Sequence, residues 1–202
     1  MPVCELRADT DARTITGYAA VFDQETRIGS MFREVIRPGA FTRAIEERQD
    51  VRALWNHDAN FILGRTVADT LTLTEDDHGL RITIDPPDTQ TGRDMVESIS
   101  RGDVTEMSFA FVAREEKWVE DPEQLALREL IDVDLYDVSP VTYPAYSGTS
   151  VGLRSAEDIY QQHIDSRQQE LPEDTDDGSQ ECDIKRRRID LAELELNQGE
   201  DK

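Results

Sequence analysis

Two stretches of the chain, TLTLTE and GLRITID, alternate apolar and polar residues on either side of the turn DDHG. A period of two places Leu71 and Leu73, then Leu80, Ile82 and Ile84, on single faces of extended strands, an arrangement no helix provides. The segment is therefore expected to be an antiparallel hairpin, and the surrounding sequence is constrained to complete a sheet around it. Further strands are expected in ITGYAAVFD, VRALW, TEMSFAFV and RELIDVDLYDVS, the last two separated by a polar excursion from Arg114 to Arg128. Two helices are expected between them. RPGAFTRAIEER carries Pro38 near its start and Phe41, Ala44 and Ile45 at helical spacing. A second helix, from about Arg93 to Arg101, puts Met95, Val96 and Ile99 on one side and ends at Gly102. Mostly short strands with few βαβ units predict a mainly β (α+β) fold, an antiparallel β-barrel or sandwich with peripheral short helices. No internal repeat is evident.

The composition changes near residue 155. From Ala156 to Lys202 the charge is −9, with polar runs such as QQELPEDTDDGSQ that cannot bury enough apolar surface to offset the entropy of ordering them. The expected organisation is one domain over residues 1–155 and a flexible acidic C-terminal tail over 156–202. One or two short helices are expected in the tail, around Ile159, His163 and Ile164 and, flanking the basic run KRRR, around Ile184, Leu191 and Leu194. The whole chain of 202 residues carries 44 acidic and 22 basic side chains, net −22, and so should repel phosphate polyanions and anionic lipid. Protein or small-molecule partners are expected, with no nucleic acid and no membrane. Cys4 and Cys182 form neither a disulfide framework nor a metal-ligand spacing, which suggests a reducing compartment. The start, MPVCELRADTDA, lacks the basic and apolar regions of a secretory leader, and no apolar run is long enough to span a bilayer.

Only three histidines are available for acid-base work near neutral pH. His78 lies in the DDHG turn and His163 in the polar tail, both structural or solvated positions. His57 closes the apolar strand VRALW, between Asn56 and Asp58, beside buried aromatic surface. In TEMSFAFV the alternation sends Met107, Phe109 and Phe111 to the core and Ser108 to a face of small residues. In RELIDVDLYDVS it sends Ile131, Val133, Leu135 and Asp137 to one face, with Asp132 and Asp134 on the other as solvent-facing charges. Asp137 ends an apolar row and needs a hydrogen-bonding partner, which a histidine would satisfy. Strict alternation, however, would put Ser108 and Asp137 on opposite sides unless a bulge or the bend before Pro140 re-aims the carboxylate. A hydroxyl, an imidazole and a carboxylate are the groups of nucleophilic hydrolysis, because serine attacks only when a base takes its proton and a third group orients the base. The His57–Asp58 neighbourhood has no HExxH or paired-histidine spacing, so no metal and no cofactor are expected.

The strings GYAAVFD, PGAF, LWNHD with LGRT, MSFAF and LYDVSPVTYPAY, in that order, resemble the prohead proteases of tailed bacteriophages, capsid-maturation serine peptidases related in fold to the herpesvirus assembly proteases. The resemblance spans about residues 15–154 and leaves out the tail. It implies His57 as base, Ser108 as nucleophile and Asp137 as third member, with Glu129, Asp132 and Asp134 as alternatives to Asp137. The herpesvirus enzymes use a second histidine, and neither His78 nor His163 falls in a matching block. The implied substrates are scaffolding protein, or the scaffolding segment of the major capsid protein, and the chain itself. The implied setting is the capsid shell of an immature prohead in the host cytoplasm, with a homo-dimer possible. Oxyanion donors would come from a turn near Gly148 to Gly152. The competing expectation is a non-catalytic β-barrel assembly factor that binds scaffold or capsid protein.

Overall fold

The hairpin forms where the alternation requires it: β7 (Leu71–Glu75) pairs antiparallel with β8 (Gly79–Ile84), from Leu71 opposite Ile84 to Glu75 opposite Leu80. Leu71, Leu73, Leu80, Ile82 and Ile84 are buried, while Thr72, Thr74 and Arg81 face solvent. The computed structural model describes residues 6–143 and 156–170 of the chain. β8 also pairs with β2 (Thr14–Val21), and β2 with β1 (Arg7–Asp9), giving a four-stranded antiparallel sheet in the order β1-β2-β8-β7.

The second sheet is built on β10 (Leu127–Val141), the longest strand. One edge of β10 is covered along nearly its whole length by antiparallel β9 (Glu106–Val119). The other edge is shared: β4 (Phe32–Ile36) pairs with residues 127–130 and β5 (Arg52–Trp55) with residues 137–138, both in parallel. β3 (Thr26–Ile28) flanks β4, and β6 (Asp58–Arg65) flanks β5. The parallel pairings depart from the all-antiparallel expectation. The chain leaves β4, crosses through α1 (Thr42–Glu46) and returns in the same direction as β5, so both strands run alongside β10 with one sense.

The two sheets remain open and do not close into a barrel. A single cluster of buried residues draws on both: Ile15, Leu80 and Ile82 from one, Leu63, Met107, Val133 and Val138 from the other. Phe41 and Ala44 close it from the α1 segment, and Met95, Val96 and Ile99 from α2 (Gln90–Ser100). Each fully buried Leu, Ile, Phe or Met contributes roughly 1.5–3 kcal/mol, so this seam carries most of the stability. α2 starts at Thr89, whose hydroxyl accepts from Gly92 N, and stops at Gly102, which takes φ +82°.

One expectation fails between the last two strands. Most of the polar excursion is strand, because β9 continues to Val119 and β10 begins at Leu127. Its charges are cross-strand partners: Arg128, 4% exposed, is clamped by Glu116 and Glu34, and Lys117 lies 3.9 Å from Glu129. Opposite charges facing one another across a ladder support a strand that hydrophobicity alone would not mark. α3 (Ala156–Glu170) covers the helical pattern around Ile159 and His163. Compact packing groups Met1–His163 as one unit and Ile164–Lys202 as another. The KRRR segment and the helical pattern after it lie outside the described residues.

Candidate active site

The segment LWNHD folds as the tip of a two-residue hairpin, with Trp55 of β5 opposite Asp58 of β6 and Asn56 and His57 between them. Both tip residues take positive φ, +54° and +58°. This left-handed pair suits the twist of a tight hairpin and is most often supplied by Asn-Gly. Asn56 is the usual first residue; His57 stands where glycine is favoured. The tip is tied to the end of β10 by two strong bonds, Asn56 N to Pro140 O at 3.0 Å and Thr142 N to Asn56 Oδ1 at 2.9 Å. The imidazole is thereby delivered to the C-terminal part of β10.

β10 presents a carboxylate there because of an irregularity in its pairing with β9. Leu135 is opposite Phe111, whereas Asp137 is opposite Ala110, so Tyr136 is the extra residue of a bulge. Neighbouring residues of β9 point to opposite faces, so the bulge turns Asp137 away from the core side that Leu135 occupies. Beyond it, Val138 pairs with Phe109 toward the core, and Ser139 pairs with Ser108 on the other face. Asp137, Ser139, Ser108 and Ala110 thus share one face, which removes the conflict that strict alternation posed.

His57 Nδ1 lies 2.6 Å from Asp137 Oδ1, and both side chains are largely buried, at 13% and 12% exposure. An ionised carboxylate can only accept, so Nδ1 carries the proton and Nε2 presents its lone pair in the neutral ring. Nε2 is buried and has no hydrogen-bond partner among the described residues. Ser139 Oγ donates to the same Oδ1 at 2.6 Å. Ser108 is half-buried, and no hydrogen bond joins it to His57. The structure therefore pairs the expected imidazole and carboxylate directly and sets the expected hydroxyl on the same face, one strand away.

The alternative carboxylates have other partners. Glu129 is bonded to Arg37. Asp132 Oδ2 accepts from Arg43 Nε at 2.7 Å. Asp134 is 8% exposed rather than solvent-facing, and it accepts from Arg114, Arg43 and Gln49. The bonds from Arg114, Arg43 and Gln49 outweigh burial and hold the Asp134 carboxyl down at about 2. Asp58 Oδ1 caps its own turn, accepting from Asn60 N and Nδ2. His78 packs edge-on against Tyr18, and His163 stacks on Trp118 at 4.1 Å between ring centroids. Ser139 was not singled out by its sequence, since a serine two residues past an acid carries no signal unless the bulge is known. The proposed oxyanion turn, Gly148 to Gly152, lies outside the described residues.

A cleft of about 260 Å³ flanks the hairpin tip, lined by Trp55, Asn56, Asp58 and Phe61. Phe61 and Ile62 are 42% and 49% exposed on β6. Of the lining side chains, Asn56 Oδ1 accepts from Thr142 N and Asp58 Oδ1 from Asn60, whereas Trp55 Nε1 is buried with no partner among the described residues. No described helix is long and apolar enough to cross a membrane.

Neither a curated protein nor a solved structure matches the chain. The family model described as caudovirus prohead serine protease matches residues 3–163, which include the hairpin tip, both strands of the site and the first half of α3. With four-fifths of its length matched by that model, the chain belongs to the caudovirus prohead serine protease family.

Proposed function

We propose that this chain is the endopeptidase of prohead maturation, and that it cleaves scaffolding protein, or a scaffolding segment of the major capsid protein, and itself. His57 is the base, Ser108 the nucleophile and Asp137 the group that orients the ring. The observation that carries the reading is the buried Nδ1–Asp137 bond with Nε2 left free beside the face that bears Ser108.

The reaction follows from those roles. Nε2 takes the hydroxyl proton as Ser108 Oγ bonds to the substrate carbonyl carbon. The imidazolium, stabilised by the Asp137 carboxylate, returns that proton to the amine as the C–N bond breaks. Water then repeats the sequence on the acyl-serine, releasing the acid and restoring the hydroxyl. The substrate chain lies extended along the cleft at Trp55 and Phe61, with the polar, acidic sequence that follows α3 in another copy as one such substrate.

Incubation of the purified full chain provides the test. Shortening by discrete mass steps over hours, absent from the Ser108→Ala chain, is the expected result. A chain that stays intact even when mixed with scaffolding protein would be an assembly factor and not a protease.

A further inference from the structure

Ser139 is a buried hydroxyl to which the reaction above gives no task. It is fully buried at 0% exposure, so it cannot meet an incoming peptide and is not a second nucleophile. Nor is it a simple filler of a small space. Burying a hydroxyl costs about 1–3 kcal/mol unless it finds a partner, and alanine would fill nearly the same volume without that cost. Its partner is Asp137 Oδ1 at 2.6 Å, the oxygen that also accepts from His57 Nδ1.

Two donors on one carboxylate oxygen do more than satisfy it. The Cβ–carboxyl torsion of aspartate is broad, and a carboxylate held by a single partner can swing and take that partner along. Ser139 approaches from the strand backbone two residues on, and His57 from a hairpin tip eighty positions earlier in the chain. Together they fix the carboxyl plane, and the plane fixes where Nε2 points. Ser139 is also directly opposite Ser108 in the β9–β10 register, where paired Cα atoms lie about 4.5–5.5 Å apart. The brace is thus built into the strand against which the nucleophile is paired.

We infer that Ser139 is a positioning residue that clamps Asp137 and, through it, aims the His57 ring at Ser108. The inference rests on the protease reading for its purpose, but its first test does not depend on turnover. In the full chain carrying Ser108→Ala, which cannot cut itself, the Nδ1 proton of His57 should give a sharp low-field resonance. Adding Ser139→Ala should broaden or abolish that signal while the thermal midpoint and the rest of the amide spectrum stay close to the parent. In the chain that retains Ser108, Ser139→Ala should slow self-shortening at least about tenfold, because small misplacements of a base are costly. A parental Nδ1 resonance together with a self-shortening rate within twofold of the parent would overturn the inference. Loss of the resonance in a protein that never cleaves would uphold the clamp while removing the protease reading.

Discussion

At φ +58° the backbone of His57 occupies the left-handed region, where a residue with a Cβ pays about 1–2 kcal/mol that glycine does not. Strain of this kind persists where surrounding structure enforces it, and here the Asn56 bonds to Pro140 and Thr142 and the Nδ1 bond to Asp137 enforce it. Both His57→Gly and His57→Ala delete the ring, so their difference isolates the backbone term. The glycine chain should be the more stable by about 1 kcal/mol in urea unfolding, with both chains inactive. Equal midpoints, or a more stable alanine chain, would show that the tip is unstrained. The sequence made the end of the strand VRALW at Asn56 and His57 legible but not the geometry there, because Asn-His lacks the glycine that usually marks a left-handed pair. The pairing of His57 with Asp137 was legible only as a need: a carboxylate ending an apolar row requires a partner, and which partner depends on contacts eighty residues apart.

The β9–β10 ribbon shows what local pattern can and cannot convey about an element. Alternation in TEMSFAFV correctly separates Met107 from Ser108, since every residue there follows the pleat. Alternation in RELIDVDLYDVS misassigns Asp137, since the bulge at Tyr136 is specified by pairing with β9 and not by anything in β10 itself. The charged run from Arg114 to Lys117 reads as loop until the facing Arg128, Glu129 and Asp134 are known. Those pairs give the ribbon a pH dependence. The Asp134 carboxyl is held at about 2, chiefly by Arg114, against about 3.9 in the unfolded chain. A depressed folded value means the contribution is complete above pH 4 and is lost as pH falls toward 2. In an acid series of thermal midpoints, Asp134→Asn should start lower near neutrality and converge on the parent as pH approaches 2. Parallel curves would show that the carboxylate is not held by Arg114 and Arg43.

Across the whole molecule, several elements were readable because each rests on nearby residues: the DDHG hairpin, α1 at Phe41 and Ala44, and α2, expected from about Arg93 and found to begin at Gln90. What joins them was not. β4 and β6 carry weak patterns, REVI and DANFILGR, and become strands by lying along β10 and β5. The parallel placement of β4 and β5 on one edge of β10 is what brings the hairpin tip to Asp137, so the site is a product of topology. Sequence motifs nominated the residues; the crossover through α1 explains how His57 reaches Asp137. The central claim, that this assembled imidazole activates Ser108, is tested most directly by treating the full chain with a fluorophosphonate and locating the adduct by mass spectrometry. The account predicts a single adduct on Ser108 that disappears in the His57→Gln chain. An adduct on another serine, or Ser108 labelling that is indifferent to His57, would contradict it.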